Sequence, residues 1–200
     1  MTNTQGAAAV EKGDTRWTIG VALAVLGGVL ALCVFGTFAT LTYSASNGSH
    51  GYLKVTDSIN GFGSVTVSVP GLSSETERRF VARQEKLALE AEAESEGASG
   101  GPILLCALVI GGAAIAFLQN RRREAALIAA LGSSAIALLV GLWRLSNPRG
   151  LFGDPAGWDS ARVSAGFALI IATFVALVTL ALSVTAYIIE RRSLPSSPMR

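Results

Sequence analysis

Residues 102–143, PILLCALVIGGAAIAFL-QNRRRE-AALIAALGSSAIALLVGLW, set the architecture of this 200-residue chain. They contain two uncharged apolar runs separated by a short turn with three consecutive arginines. Each run is about long enough to cross the roughly 30 Å apolar layer of a bilayer as a helix. The pattern therefore predicts a transmembrane helical hairpin, with residues 102–119 and 125–143 as spans and residues 120–124 as the turn.

Two further apolar runs, residues 17–43 and 163–189, are also long enough to cross a bilayer. Half of all residues are hydrophobic and only 15% are charged, whereas a typical soluble domain carries about 25% charged residues. The sequence therefore predicts an all-α membrane protein, built as a four-span transmembrane helical bundle. The net charge of +2 is small and no basic face with interleaved aromatic residues occurs, which argues against nucleic-acid binding.

The chain ends and the connection between the third and fourth spans are short and polar. Residues 1–16 and 190–200 predict a disordered N-terminus and a tail, and residues 144–162 predict a short outer loop. A cleaved signal peptide is the alternative for the first run, but the apolar core of such a peptide has only about 7–15 residues. Residues 18–42 far exceed that length, so we expect a retained first span.

Basic residues beside the spans predict which side of the membrane each loop occupies, because they favour the cytoplasmic side. The basic residues between positions 78 and 86 lie in the middle of a long loop, where they carry less weight. We therefore expect both termini to be cytoplasmic and the protein to be a multi-pass component of a bacterial cell (inner) membrane. The residues that determine this topology are Arg121, Arg122, Arg123, Arg191 and Arg192.

Residues 44–101 form the one large polar region, and the same topology puts them outside the cytoplasm. Alternating apolar and hydroxyl residues around Asn60-Gly61 predict a β-hairpin at about residues 52–69. Ser74 and Glu77 fit a capping box, which predicts a helix at about residues 74–94. An isolated hairpin is marginal in water, so its valine row must pack on this helix, on the membrane surface or on another protein. The predicted partner surface comprises Leu53, Val55, Val65, Val67, Val69, Phe80 and Leu87.

Small residues at helical spacing predict close helix packing in the first and third spans. Such residues let helix backbones approach each other in lipid, where packing drives association. Packing within the bundle is the first interpretation, and association between copies of the chain as a homo-oligomer is the alternative. The predicted packing residues are Gly20, Ala24, Gly28 and Gly36 in the first span and Ala129, Ser133, Ala137 and Gly141 in the third.

The four apolar cores contain no Asp, Glu, Lys, Arg or His. Ionisable groups inside a membrane mark ion paths, proton relays and catalytic sites, so their absence argues against proton-coupled transport and intramembrane catalysis. His50 is the only histidine and lies outside the first span, and Cys33 and Cys106 belong to no Cys-x-x-C pair. We therefore predict no catalytic residues, no cofactor and no metal site.

These features predict a non-enzymatic integral membrane protein that presents residues 48–99 to another membrane or envelope protein, as a scaffolding or accessory component. A small oligomeric transporter or channel subunit is the alternative. A third hypothesis is an enzyme acting on lipid headgroups through Arg144, Arg149 and Asp154. Four spans with a larger first outer loop also occur in claudins, but this loop lacks their paired cysteines and tryptophan signature, and the chain is assigned to no family.

Overall fold

The computed structural model describes residues 4–47, 51–68, 75, 79, 82–83, 100–120, 122–152 and 161–193, with the backbone alone at 4–14, 45–47, 51–53 and 193. The helices are α1 (Thr4–Cys33), α2 (Gly100–Leu118), α3 (Arg123–Ser146) and α4 (Phe167–Ser193). The strands are β1 (Thr37–Asn47), β2 (Gly51–Asn60), β3 (Val65–Ser68) and β4 (Arg162–Ala165), and a 3₁₀ turn covers Pro148–Leu151.

Within the described residues, four helices are long and apolar enough to cross a membrane. Their apolar stretches are Thr15–Cys33, Gly100–Leu118, Arg123–Ser146 and Phe167–Arg192. The chain is therefore mostly helical, with a small sheet in addition. The predicted fold class is confirmed at this level.

The four helices form an up-and-down bundle in which α1 and α3 each pack against both α2 and α4. The turn between α2 and α3 is tight, and its residues Asn120 and Arg122 adopt left-handed conformations with φ of 62° and 46°. We call the end of the bundle that carries the sheet, where α1 ends and α2 begins, the sheet end. The opposite end, where Arg16, Arg123 and Glu190 meet, is the arginine end.

The sheet has four antiparallel strands in the order β3-β2-β1-β4. β1 and β2 are the long central pair, whereas β3 pairs only with residues 56–59 of β2 and β4 only with residues 39–42 of β1. β2 and β3 form the hairpin predicted around Asn60-Gly61. The Asn60 side chain stabilises the turn, because its Oδ1 accepts hydrogen bonds from the backbone N–H groups of Phe62 and Ser64 at 3.0 and 2.9 Å.

The predicted extension of the first span to residue 43 is wrong, since α1 ends at Cys33 and β1 begins at Thr37. The 19 residues of Thr15–Cys33 rise about 28 Å at about 1.5 Å per residue, which already crosses the apolar layer. Beyond Gly36 the sequence alternates, with Ala39 and Leu41 on one face and threonines on the other. This period of two forms a strand rather than a helix.

Two other predicted boundaries are also wrong. The fourth helix begins at Phe167 rather than at residue 163, because Arg162–Ala165 forms β4 and pairs with β1. Residues 4–16, predicted to be disordered, continue α1 toward the N-terminus. Extending an existing helix needs no new nucleus, and the three alanines at positions 7–9 have the strongest helix propensity.

The predicted helix at about residues 74–94 lies mostly outside the described residues. Its described positions, Glu75, Arg79, Ala82 and Arg83, are helical. The last three line a cavity of about 320 Å³ together with residues 65–67 of β3. This part of the segment therefore lies beside the edge of the sheet.

One apolar core runs from the bundle into the sheet. Phe38 is fully buried just beyond the point where α1 passes into β1. The other fully buried residues of this core come from the helices, the strands and the turn between α1 and β1, and include Leu30, Val34, Leu41, Ile110 and Leu169. A second cluster fills the arginine end and includes Leu23, Ala114, Phe117, Leu127, Ala130 and Ala186. Because the first core is shared, the sheet and the helices pack as one unit.

Candidate functional site

Three backbone hydrogen bonds fasten the sheet to the sheet end of the bundle. The N–H of Gly61 donates to Val34 O at 3.0 Å, that of Gly100 to Gly61 O at 2.7 Å, and that of Gly166 to Phe38 O at 2.7 Å. A Cβ on Gly61 would lie 2.7 Å from Val34 O, so a larger residue would push this joint apart. The orientation of the sheet relative to the helices is therefore fixed by the backbone.

The two faces of the sheet differ in chemistry. Because side chains alternate along a strand, the strand register assigns each residue to one face. The face turned toward the core, which we call the buried face, carries Ala39, Leu41, Tyr43, Val55, Asp57, Ile59, Val65, Val67, Val163 and Ala165. The opposite face, which we call the hydroxyl face, carries Thr40, Thr42, Ser44, Thr56, Ser58, Thr66, Ser68 and Ser164, together with Lys54 and Arg162.

The hydroxyl face is accessible to solvent. Its residues on the edge strands and toward the far end of the sheet are exposed, and those in the middle of β1 and β2 are half-buried. Its two charged residues, Lys54 and Arg162, are both positive and both exposed. The described part of this face contains no carboxylate and no imidazole.

The predicted partner surface mostly faces the core or lies outside the described side chains. Val55 and Val65 are buried, and Val67 is half-buried against the shared core. At Val65 and Val67 the row packs on the core that the sheet shares with the bundle, whereas the sequence predicted packing on the helix at about residues 74–94, on the membrane surface or on another protein. The side chains outside the described set are those of Leu53, Val69, Phe80 and Leu87.

Asp57 is a buried carboxylate that is absent from the predicted site residues. Its side chain is 0% exposed, and its pairing neighbours are Leu41 on β1 and Val67 on β3. Neither carboxylate oxygen makes a hydrogen bond to the described part of the chain. Burial raises the pKa of Asp57 to about 6, because an apolar environment disfavours the charged form. The sequence signal for this residue is its position in phase with Val55 and Ile59 on an alternating strand.

Beyond the four-stranded part, β1 and β2 continue as a two-stranded ribbon, defined here as residues 43–47 and 51–55. The pairings of β3 and β4 stop before these residues. Five residues of strand extend roughly 17 Å at about 3.4 Å per residue. The paired strands β1 and β2 therefore extend beyond the four-stranded part of the sheet.

Arg144 holds the loop at the sheet end rather than pointing into solvent. It is buried in the last turn of α3, and its Nη1 donates to Gly150 O at 3.1 Å. Its guanidinium carbon lies 4.4 Å from the ring centroid of Trp143, a cation–π distance. Arg149 is exposed, and Asp154 lies outside the described residues.

The buried polar side chains of the described helices are mainly hydroxyls: Ser134, Thr173, Thr179 and Ser183. The first three donate to carbonyl oxygens three or four residues earlier in their own helices, at distances of 2.7 to 3.0 Å. Such bonds satisfy a hydroxyl inside a helix bundle without any substrate.

The small-residue rows are only partly used inside the bundle. A Cβ on Gly20 would lie 2.5 Å from Leu118 of α2, and Gly141 lies directly against Thr173 of α4. Gly28 is exposed and has open space where its Cβ would be. Of the remaining predicted residues, Ala129 is exposed, Ala24 and Ser133 are half-buried and Ala137 is buried. Gly36 was predicted to lie in the first span but lies beyond the end of α1, where it packs closely against Ala168 of α4.

Glu190 joins three helices at the arginine end. Arg16 of α1 donates through Nη2 to both carboxylate oxygens at 3.1 Å. Nη1 of Arg123, at the start of α3, lies 3.5 Å from the same carboxylate. The Glu190 side chain is only 13% exposed, so this carboxylate is largely enclosed by its partners.

The predicted topology-determining residues that the structure describes lie at this same end of the bundle: Arg122, Arg123, Arg191 and Arg192. The guanidinium of Arg191 lies 5.6 Å from the ring centroid of Tyr187. Arg121 lies outside the described residues.

No protein-family model matches this chain, and no curated protein sequence is significantly similar to it.

Proposed function

We propose that this chain is a non-enzymatic multi-pass membrane protein that presents its sheet, outside the cytoplasm, to another membrane or envelope protein. The main support is that the buried face of the sheet packs on the chain's own core, whereas the hydroxyl face is exposed to solvent. In this proposal the partner contacts the hydroxyl face and the ribbon, not the valine row.

The rigid joint between sheet and bundle supports this role. The backbone bonds of Gly61, Gly100 and Gly166 and the burial of Phe38 fix the sheet before any partner binds. A preorganised surface loses less conformational entropy on association. In this proposal the helical bundle fixes the orientation of the hydroxyl face relative to the membrane.

The chemistry of the hydroxyl face indicates the kind of partner. Ser and Thr hydroxyls both donate and accept hydrogen bonds, and Lys54 and Arg162 add positive charge. Such a face complements a polar surface that is neutral or acidic. It offers no pair of groups for general acid–base catalysis within its described residues, which supports a role in contact rather than in chemistry.

The proposed orientation rests on the charges at the two ends. Arg122, Arg123 and the arginines at the end of α4 lie together at the arginine end, and such clusters favour the cytoplasm. Trp17 and Trp143, 64% and 58% exposed, lie toward opposite ends of the bundle, as do aromatic residues at the two interfaces of a bilayer. The proposed location is the cell membrane, with both termini in the cytoplasm and the sheet outside it.

Site-specific photocrosslinking in intact cells tests the proposed contact surface. A photoreactive residue replaces Thr66 or Ser164 on the hydroxyl face, or Leu139, which is exposed on the bundle. We expect a discrete protein adduct from the first two positions and none of the same mass from Leu139. The double substitution Lys54→Glu and Arg162→Glu should abolish the adduct, because it reverses the charge of the face.

Arg149→Glu serves as the matched control, since Arg149 is exposed but lies outside the sheet. An adduct that survives the double reversal, or that is lost equally in the control, would contradict the assignment of the hydroxyl face. Selective solute or ion flux through the purified protein in liposomes would contradict the non-transport role.

A further inference from the structure

A second surface, at the arginine end, has the character of a binding site. A cavity of about 510 Å³ opens between the α2–α3 turn and the end of α4. This volume lies within the range of about 300–1,000 Å³ that is typical of small-ligand sites. The residues that line it are Asn120, Arg122, Arg123, Glu124, Ala125 and Glu190.

The lining itself carries two arginines and two glutamates, and Arg16, which binds Glu190 from outside the lining, brings the sum to one excess positive charge. Arg16 binds both oxygens of Glu190, so the enclosed carboxylate already has a close partner. Arg123 reaches the same carboxylate only at 3.5 Å, longer than the 2.7–2.9 Å typical of charge-assisted hydrogen bonds. Glu124 is the other acid of the lining, and both it and Arg122 are exposed to solvent. The guanidinium of Arg123 is therefore incompletely neutralised.

Arg123 also has an unused hydrogen-bond donor. Its Nε is buried and makes no hydrogen bond with the described residues. A buried N–H without an acceptor is unfavourable, so Arg123 is incompletely satisfied by its present contacts. A guanidinium presents its N–H groups in a planar fork that matches the oxygens of a phosphate.

The position of the cavity indicates the source of that phosphate. It lies at the turn between two apolar helices and beside the last residues of a third, all three long and apolar enough to cross a membrane. In the proposed orientation this end of the bundle meets the lipid headgroups. Basic pockets between helix ends bind anionic headgroups. We propose that this cavity binds the phosphate of an anionic phospholipid headgroup, with Arg123 and Arg122 as its donors. This proposal is independent of the partner of the sheet.

Lipid titration of the purified, delipidated full chain tests the site. Bound lipid is counted by native mass spectrometry in detergent during titration with phosphatidylglycerol, with zwitterionic phosphatidylcholine, or with inorganic phosphate. We expect phosphatidylglycerol to bind at least about tenfold more tightly than phosphatidylcholine, and Arg123→Gln to weaken it about tenfold, the factor that corresponds to one charge-assisted hydrogen bond.

Arg192→Gln is the matched control, because it removes the same charge at the same end from a residue that does not line the cavity. Arg122→Gln is the second test variant, since Arg122 is exposed and contributes little to folding even if Arg123→Gln perturbs the turn. Equal weakening by Arg192→Gln would reduce the effect to general surface charge and overturn the site. Equal binding of the two lipids, or tighter binding of inorganic phosphate than of phosphatidylglycerol, would overturn the lipid assignment.

Discussion

The two ends of the bundle are held together by different interactions. At the sheet end, backbone hydrogen bonds and an apolar core that includes Phe38 join the strands to the helices. At the arginine end, side chains from three helices converge on Glu190. Apolar packing and backbone bonds are not screened by salt, whereas ion pairs near the surface weaken as salt screens them. The two ends should therefore respond differently to the same change in solution.

The two ends also differ in how they accommodate a buried carboxylate. Glu190 is largely enclosed but has Arg16 and Arg123 as partners. Asp57 is more deeply buried, and the residues paired directly with it on the adjoining strands, Leu41 and Val67, are apolar. A paired carboxylate can stay charged, whereas an isolated one is disfavoured in its charged form. The sheet end therefore combines an extensive apolar core with a buried carboxylate, Asp57, whose charged form is disfavoured.

The largest effect is expected where the two structural parts share their core. Phe38→Ala should lower the free energy of unfolding by about 3–5 kcal/mol, because it leaves a cavity between the helices and the sheet. Phe174→Ala is the matched control, since Phe174 is exposed on α4. Denaturant unfolding in detergent measures both. Equal effects of the two substitutions would show that the sheet does not depend on the shared core.

The second effect concerns Asp57 and depends on pH. The pKa of Asp57 is raised by burial from 3.8 to about 6, so the folded state holds its proton more tightly than the unfolded state. The protonated Asp57 side chain therefore contributes to the free energy of unfolding. This contribution is fully present below pH 3.8, falls as the pH rises toward 6, and is lost above that pH. The difference between the two values corresponds to about 3 kcal/mol. The measurement is the free energy of unfolding as a function of pH.

Asp57→Asn isolates this contribution, because it keeps the shape of the side chain and cannot ionise. The difference between wild type and variant should change across the pH range between 3.8 and 6 and be constant above it. Glu124→Gln, which removes an exposed carboxylate, is the matched control. A pH-independent difference for Asp57→Asn would mean that Asp57 is paired or solvated in the folded protein.

The helices could be predicted from sequence because a span needs only length and absence of charge. Residues 102–119 and 125–143 have both properties, and α2 and α3 form there. The junctions at Cys33 and Phe167 could not be predicted in this way, because apolar strands and apolar helices look alike to a hydropathy window. The alternation of Ala39, Leu41 and Tyr43 with threonines distinguishes them, but it becomes decisive only when β2 and β4 supply partners for β1.

The candidate surface was harder to predict for the same reason. A valine row identifies an apolar face without saying what covers it, and Val55 and Val65 are covered by the chain itself. The hydroxyl face becomes a continuous surface only when β1 and β4 are present, and both strands overlap runs that were predicted as membrane spans. The ion pairs of Glu190 with Arg16 and Arg123 join positions far apart in sequence, so only the packing of α1, α3 and α4 brings them together.

The smallest effect is expected at the arginine end. Glu190→Gln removes the charge that holds Arg16 and Arg123 and should cost about 1–2 kcal/mol, because partly exposed pairs are worth less than buried ones. The matched control is Glu75→Gln: the Glu75–Arg79 contact has the same 3.1 Å distance, but Glu75 is 67% exposed. Its loss should cost less than about 0.5 kcal/mol.

Unfolding measured at low and high salt should show the Glu190 effect shrinking as salt rises, while the Phe38 effect stays constant. If salt leaves the Glu190 effect unchanged, the arginine end is held by packing of the Leu23 and Phe117 cluster rather than by charge, and the two ends are alike.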